Sequence, residues 1–498
     1  MTMRFKYTRR EAGPARRPSL KRRTACLAAA ACLMLLAGCR YTAAPADLLT
    51  APEAAQPSGK LTQEVRALLP PGSSLALPQR EKQPEAIRTL DLDGDGKPEA
   101  LVSYTDSYGG CQLMIAKEEA SGWKKWATIR SAASTSLDWL SIVDLDGDKR
   151  PELVAGWAVS VPGDSTAVQQ YMLQVYSFLN PQFEEGDSGL VLKPLAELAY
   201  ETAETGDVDG DGLPEISLVN RNKKGTLPTL RVYRLAEGRL AEAASLPLYP
   251  DVNLYDRIAA GKVSKERYGL IAEASVGAHS SMSAMFMWSK GALEQVYPPY
   301  GNPDLGFSPS GVMNGDINGD GILEWSRLTE AAGQKQDTPY ADMLFYTEWM
   351  QWNGLLPGDE KYDAREPFAP VSIEYNSYPY GLSLQIPSRW RGQFTLTRPE
   401  DIANGIITVN YYNAKSGRIA PLWTICAVPV KEWDGWSAGL GAPRKKVVNL
   451  RTAGGFVYAA VQEPDPDGKW PEAELNQYRS MRLTDEQLAS SVRLLPEN

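Results

Sequence analysis

Four acidic segments of nine residues have the residue types and spacing of a metal-binding loop. They are DLDGDGKPE from Asp91, DLDGDKRPE from Asp144, DVDGDGLPE from Asp207 and DINGDGILE from Asp316. Oxygen side chains at alternate positions of a tight, glycine-containing turn are what a hard cation such as Ca²⁺ requires. Glycine at the fourth position permits the backbone conformation that points these side chains inward. We therefore expect the segments to bind structural Ca²⁺, three to four ions in all.

The expected ligands are the side chains at positions one, three, five and nine of each segment. They are Asp91, Asp93, Asp95 and Glu99; Asp144, Asp146, Asp148 and Glu152; Asp207, Asp209, Asp211 and Glu215; and Asp316, Asn318, Asp320 and Glu324. Clustered carboxylates repel one another without a cation and become its ligand set when one is present. Because protein groups fill the expected ligand positions, we expect an ion that stabilises the fold rather than one that binds a substrate.

Other metal and catalytic chemistries fit the sequence poorly. An EF-hand needs an acidic residue at position twelve, where these segments have Val102, Ala155, Leu218 and Arg327. The single histidine, His279, excludes zinc sites that are built from several histidines. The sequence has neither a glycine-rich phosphate loop nor a Gly-x-Ser-x-Gly elbow. We therefore assign no catalytic residue.

The spacing of the segments indicates a repeating structural unit that positions them. Their starts are separated by 53, 63 and 109 residues, and the last interval is about two of the others. A further copy at 262–270 keeps the frame but has Lys262 at the first position and Leu270 at the ninth. The unit of about 55 residues thus persists where its ligands are lost, which indicates an architectural repeat.

Short strand-like runs flank the segments, for example 86–90 before the first and 100–104 after it. An Asp-x-Asp/Asn-Gly-Asp motif followed by an apolar strand resembles the FG-GAP or VCBS repeats of integrin α-type β-propellers. The resemblance covers about 80–366 and implies a mainly β protein with a calcium-stabilised β-propeller. The count gives five blades, or six or seven if the termini contribute. The chain departs from the family pattern in its glutamate at position nine, in Lys149, which replaces glycine at the sixth position of the second segment, and in the ligandless copy at 262–270.

Beyond Pro367 the repeat stops, and we predict a small α+β domain over 367–498 after a propeller over 60–366. Strands are expected within 371–386, 406–412 and 455–461, and a capping box at 484–487 predicts a final helix. An aromatic group in this region could form a sugar-stacking patch or belong to the core. Its members are Tyr375, Tyr378, Tyr380, Trp433 and Trp436.

The N-terminus has the features of an export signal. Residues 1–23 carry nine Lys and Arg, and a short apolar run over 25–38 ends in Leu-Ala-Gly before Cys39. This ending resembles the bacterial lipobox, which implies a lipoprotein signal peptide over 1–38 and a lipidated Cys39. The alternative is an ordinary signal peptide with a chance cysteine. The Ala- and Pro-rich stretch 39–59 is expected to be a flexible tether. We therefore expect the chain to be lipid-anchored at the extracytoplasmic face of the cell membrane.

Charge and cysteine content limit the function classes. Residues 1–38 carry nine basic residues and one acidic residue, and without them 43 basic and 60 acidic residues remain, a net charge of −17. Such a surface repels nucleic acid. Only Cys111 and Cys426 lie beyond Cys39, so the fold is not a disulfide scaffold.

We therefore expect a non-catalytic protein that binds a protein or glycan partner at the cell envelope. The alternatives are a carbohydrate-active or other hydrolase that uses the propeller as a scaffold, and a structural scaffold of an envelope assembly. A cleft lined by acids outside the nine-residue segments would favour an enzyme. An aromatic face would favour binding, and a large apolar patch on 367–498 would favour a scaffold.

Overall fold

The computed structural model describes residues 59–495 except 82, 161–169, 187–188, 222–226, 312, 336, 441–444 and 467. The predicted signal peptide, Cys39 and the tether up to residue 58 lie outside the described residues. Over the described part the prediction of a mainly β fold is confirmed, with thirty strands in six sheets.

The first sheet contains the first acidic segment. Helix α1 (Gly59–Arg66) precedes it, and its strands are β1 (Ser74–Leu75), β2 (Ile87–Leu90), β3 (Glu99–Thr105), β4 (Cys111–Glu119), β5 (Gly122–Arg130), β9 (Phe183–Gly186) and β10 (Gly189–Leu192). Strands β2 to β5 form an antiparallel meander, and β10 adds to β5 in parallel. Strand β3 is buried along almost its whole length, as expected for a central strand covered on both faces.

The second, third and fourth sheets are antiparallel and follow in chain order. The second has β6 (Ser134–Val143), β7 (Glu152–Val159), β8 (Gln170–Tyr176) and β11 (Ala196–Tyr200). The third has β12 (Thr202–Gly206), β13 (Glu215–Asn220), β14 (Thr229–Ala236) and β15 (Arg239–Pro247). The fourth has β16 (Leu254–Ser264), β17 (Arg267–Val276), β18 (Ser280–Ser289), β19 (Ala292–Tyr297) and β20 (Phe307–Ser308).

The fifth sheet crosses the predicted domain boundary. Its strands, in spatial order, are β21 (Trp325–Glu330), β22 (Phe345–Trp352), β23 (Phe368–Ser377), β24 (Leu382–Ile386) and β30 (Val492–Leu494). The boundary predicted after residue 366 lies between β22 and β23, which are antiparallel neighbours. The strands predicted for a separate domain thus complete a sheet that begins in the last repeat.

The sixth sheet and three helices form the rest of the C-terminal region. The strands, in spatial order, are β25 (Phe394–Thr397), β26 (Gly405–Asn413), β27 (Arg418–Pro429), β29 (Phe456–Gln462) and β28 (Lys446–Ala453). The helices are α2 (Trp433–Gly439), α3 (Glu472–Ser480) and α4 (Asp485–Ser491). The predicted capping box opens α4, with Thr484 and Gln487 bonded reciprocally at 3.0 and 3.2 Å. Of the helices in the described part of the chain, none has the length and hydrophobicity needed to cross a bilayer.

The hydrophobic core is a series of layers between successive sheets. Each layer takes side chains from both of the sheets that it joins: Leu101 and Leu153, Val175 and Ile216, Val232 and Phe286, Met285 and Met350, and Ile373 and Ile425. The outer face of the first sheet packs against α1 through Val65 and Tyr104, and the outer face of the sixth packs against α2 through Val428 and Trp433. Helices therefore cover apolar faces at both ends of the series.

Candidate metal loops and an aromatic cleft

Three of the acidic segments connect the first two strands of a repeat, and the fourth is closed by an isolated bridge just before β21. We call them the first loop (91–99), second loop (144–152), third loop (207–215) and fourth loop (316–324), and 262–270 the ligandless copy. In every loop the residue before it pairs with its ninth residue, namely Leu90 with Glu99, Val143 with Glu152, Gly206 with Glu215 and Gly315 with Glu324. In the ligandless copy Gly261 pairs with Gly269, so that β16 and β17 meet in a hairpin one residue shorter.

The ninth-position glutamates are buried by this pairing, with exposures of 0 to 2 %. Each accepts a hydrogen bond of 2.8–3.0 Å from the backbone N–H of the second loop position. The first-position aspartates accept two more, at 2.6–2.7 Å from the fourth position and 2.8–3.2 Å from the sixth. Backbone donors thus hold both ends of every loop in one geometry.

Three carboxylates converge in each loop, with one oxygen from each within 4.8 Å of the others. The triads are Asp91, Asp93 and Glu99; Asp144, Asp146 and Glu152; Asp207, Asp209 and Glu215; and Asp316, Asp320 and Glu324. Oxygen atoms at this spacing could hold a metal ion, and an all-oxygen set suits Ca²⁺.

The structure brings together most of the predicted ligands but not all of them. At the fifth position, Asp95, Asp148 and Asp211 lie outside the triads and accept the seventh-position N–H at 2.7–2.8 Å. In the fourth loop the fifth-position Asp320 joins the triad, and Asn318 donates to Asp320 at 3.1 Å and to Glu324 at 3.3 Å.

Burial and mutual repulsion make the triads costly as free anions. Burial raises the pKa of Glu99 and Glu324, and it raises the pKa of Glu152 and Glu215 to about 7. The neighbouring loop aspartates raise these pKa values further, whereas the backbone N–H donors lower them. A bound cation would offset this repulsion.

Lys149 at the sixth position of the second loop keeps the geometry of its glycine counterparts. Its φ is 70°, close to the values at Gly96, Gly212 and Gly321, and its N–H donates to Asp144 at 2.8 Å. A non-glycine residue in this left-handed conformation costs about 1 kcal/mol. The second loop therefore folds like the others at a small conformational cost.

The fourth-position glycines have a packing role that the sequence did not reveal. A Cβ atom on Gly94 would lie 2.7 Å from Nε of Arg150, the seventh residue of the next loop. Gly147 meets Leu213 of the third loop in the same way, at 3.2 Å, and Gly210 meets Tyr268 of the ligandless copy at 2.7 Å. Consecutive units therefore stack in one row, and the ligandless copy takes its place in it.

A cleft of about 530 Å³ lies on the fifth sheet, and no triad residue is among its described lining residues. Side chains from β22 and β23 contribute to its walls, among them Trp349, Glu374 and Asn376, together with the exposed Tyr340 and Tyr378. The indole N–H of Trp349 and the amide oxygen of Asn376 are buried without a hydrogen-bond partner. Buried polar atoms are usually bonded, so these two are candidates to bond a ligand.

The predicted aromatic patch is not brought together. Trp433 and Trp436 stack on each other at 5.8 Å and pack against the sixth sheet, and Tyr375 packs against the core between the fifth and sixth sheets. Tyr378 and Tyr380 are exposed, and Tyr378 borders the cleft. The core interpretation therefore holds for three of the five residues.

The histidine and the two cysteines of the described chain lie outside the loops and the cleft. His279 is exposed in the turn between β17 and β18. Cys111 and Cys426 are buried and unpaired in different core clusters, where burial raises their thiol pKa values to about 11 and about 12. Thiols of this kind are unreactive.

The comparison with protein families supports the repeat type. Residues 91–155 match the model of the FG-GAP-like repeat family. The match begins at the first loop and includes the whole second loop, so that it covers one complete unit. Among the curated proteins compared with this chain, none is significantly similar to it.

Proposed function

We propose that this chain is an exported, lipid-anchored binding protein in which a calcium-stabilised β-propeller-type array presents a cleft to a partner at the cell envelope. The FG-GAP-like match and the four acidic triads support a repeat protein of this kind. The cleft on the fifth sheet is the observation that supports binding.

The proposed array consists of the first five sheets as blades. Each contains either an acidic loop or the ligandless copy, the register is the same in all four loops, and the first four units stack through the fourth and seventh loop positions. In this proposal α1 and the sixth sheet cover the apolar faces of the terminal blades.

The proposed ion is Ca²⁺ with a structural role, since each triad lies in a turn whose two ends are paired by backbone bridges. Metal analysis of the purified chain is expected to find Ca²⁺, and chelation is expected to lower its melting temperature. A metal-free protein with unchanged melting after chelation would contradict the calcium assignment.

The cleft favours a glycan over a protein as the partner, and binding over hydrolysis. Its described lining includes one carboxylate, Glu374, rather than the pair that a glycosidase needs, and none of the described lining residues is basic. Aromatic rings with an indole donor, an amide and hydroxyls suit a neutral sugar, which presents apolar ring faces and hydroxyl groups. A neutral glycan is therefore the proposed ligand.

Titration calorimetry with neutral oligosaccharides would test the cleft. Tyr378→Ala and Trp349→Phe should each weaken binding, because the first removes a wall of the cleft and the second removes the unpaired N–H. Tyr380→Ala is the matched control, since Tyr380 is exposed but is not among the lining residues of the cleft. Binding of an extended peptide in the same cleft would support the protein partner instead, and release of a shorter sugar would support the hydrolase.

The anchor is tested separately from the cleft. Cys39→Ala is expected to move the protein from the membrane fraction to the soluble fraction of the cell envelope, because the thiol that would carry the lipid is gone. A variant that stays with the membrane would contradict the lipid anchor and leave the binding proposal unaffected.

A further inference from the structure

The side chain opposite the ninth-position glutamate differs among the four loops. In an antiparallel ladder, directly opposite side chains on one face are in contact. The ladders pair Ala100 with Ala116, Leu153 with Tyr176, Ile216 with Tyr233 and Trp325 with Met350. One step further along, the residues opposite Glu99, Glu152, Glu215 and Glu324 are Lys117, Ser177, Arg234 and Gln351. We call these the opposing residues.

In the first loop the opposing residue is a cation that enters the triad. The ammonium group of Lys117 forms an ion pair with Asp93 and lies 4.0 Å from Glu99. It also lies 3.8 Å from the centre of the Trp126 ring, within the range of a cation–π interaction. Lys117 thus contacts two of the three triad carboxylates and rests on an aromatic face.

The third loop repeats this arrangement with arginine. The guanidinium group of Arg234 contacts Asp209, and its Nε donates to Glu215 at 3.0 Å. Its central carbon lies 5.2 Å from the Trp288 ring of the fourth sheet. Two different cations on equivalent strands therefore bind the third- and ninth-position carboxylates of their loops.

The second and fourth loops have neutral opposing residues. The opposing residue of the second loop is the uncharged Ser177, and in the fourth loop the Gln351 amide donates to Asp320 at 2.7 Å and to Glu324 at 2.8 Å. Lys149 of the second loop is exposed. No cationic side chain therefore opposes the ninth-position glutamate in these two loops. In the ligandless copy this place is apolar, with Leu270 paired to Phe286.

A tethered cation and a metal ion compete for the same carboxylates. Like charges a few ångströms apart repel strongly inside a protein, so Ca²⁺ could enter the first or third loop only after the opposing side chain had left it. Leaving breaks charge-assisted hydrogen bonds that are already made. In the second and fourth loops no cationic side chain has to leave before Ca²⁺ enters; at the fourth loop it is the neutral Gln351 amide that would have to turn away from Asp320 and Glu324.

We infer that the four loops are of two kinds: the second and fourth bind Ca²⁺, whereas Lys117 and Arg234 replace the ion in the first and third. The inference rests on the proposed calcium binding and deepens it, since it reduces the expected number of ions to two. It explains how four loops with one backbone geometry differ in the charge that stabilises them.

Counting bound Ca²⁺ by equilibrium dialysis of the chain without its signal peptide tests this inference. The unchanged chain is expected to bind two equivalents, and the double variant Lys117→Met, Arg234→Met is expected to bind four. The affinity gained at each freed loop should be about 10- to 100-fold, the effect of no longer breaking charge-assisted hydrogen bonds. Lys124→Met, which removes an exposed lysine paired with Glu119, is the matched control and should stay at two.

The outcomes separate this inference from the calcium proposal itself. Four equivalents in the unchanged chain, or two in the double variant, would overturn the role of Lys117 and Arg234 while Ca²⁺ binding stands. No equivalents in any variant would overturn both. Misfolding of a variant would lower the number of bound Ca²⁺ equivalents. An increase in that number is therefore not explained by misfolding.

Terbium luminescence gives a reading from the first loop alone. Lys117→Met should add tryptophan-sensitised Tb³⁺ emission, because Trp126 lies beside the vacated place, and Lys117→Met with Trp126→Phe should remove the added emission. Emission that is the same in the unchanged chain and in Lys117→Met would place the ion elsewhere and contradict the inference.

Discussion

Glu348 on β22 joins the last repeat to the C-terminal region, and its replacement by glutamine tests how the two are held together. The side chain is 2 % exposed. Its carboxylate accepts hydrogen bonds from Nε of Arg327 on β21 at 3.1 Å and from Nε of Arg391, just before β25, at 2.8 Å. A terminal nitrogen of Arg327 donates as well, and the hydroxyl of Thr329 donates at 3.2 Å.

The expected loss in the free energy of unfolding depends on which interactions Glu348→Gln keeps and which it removes. The amide oxygen can still accept hydrogen bonds, so the variant loses charge rather than every partner. A hydrogen bond to a charged group contributes about 1 kcal/mol more than a neutral one, and two arginines are affected. Both arginines are partly exposed and can recover some hydration. We therefore expect the free energy of unfolding to fall by about 2 kcal/mol at pH 7.

The effect of this substitution should depend on pH. Burial alone would raise the pKa of Glu348, but the hydrogen bonds and charges of Arg327 and Arg391 outweigh it and lower the pKa below the ordinary value of 4.5. A lowered pKa in the folded state contributes stability above the ordinary value and loses it as the pH falls through the folded value. The difference between the unchanged chain and the variant should therefore shrink below pH 4.5.

Urea denaturation at pH 7 and at pH 3 measures both effects. Glu330→Gln, on the exposed end of the neighbouring strand β21, is the control and should change the free energy by less than about 0.5 kcal/mol. The reasoning would be refuted if the Glu348 variant were as stable as the control variant at pH 7. It would also be refuted if the variant lost the same free energy of unfolding at both pH values.

Three further predictions concern the loops and the last helix. Gly210→Ala should destabilise the fold more than Gly212→Ala, since both have positive φ but only the first places a Cβ against Tyr268; equal melting temperatures would argue against the stacking of units. Glu152→Gln should abolish the stabilisation by Ca²⁺ at the second loop, about 2.7 kcal/mol at a hundredfold excess over Kd, and a melting curve that responds to Ca²⁺ as before would count against that site. Thr484→Ala removes the capping box of α4 and should cost about 1 kcal/mol, which thermal unfolding can detect; no change would mean that the cap is dispensable.

Local patterns in the sequence predicted the elements well. The acidic segments predicted connections between paired strands, and Glu99, Glu152 and Glu215 are the first residues of their second strands. The capping box at Thr484 was confirmed in the same way. These features depend on residues a few positions apart, whose preferred backbone conformations and local hydrogen bonds act within the segment itself.

Features that depend on pairing across the sheet were not predicted. The boundary after residue 366 was placed where the repeat motif ends, but β22 and β23 pair across it, because a sheet is completed by whichever strand reaches its open edge. Trp433 and Trp436 belong to one core layer and Tyr375 to another, because sheet packing rather than the local sequence places them.

The sequence alone thus determined the repeat, its mainly β character and most of the carboxylates that converge in each loop, because a nine-residue turn positions many of its own side chains. Only the tertiary structure decided which side chains from other strands contact those loops. Lys117 and Arg234 reach their loops from a neighbouring strand, and Tyr268 reaches Gly210 from the next unit. Strand register and the stacking of sheets choose these partners, and no short-range spacing in the chain encodes them.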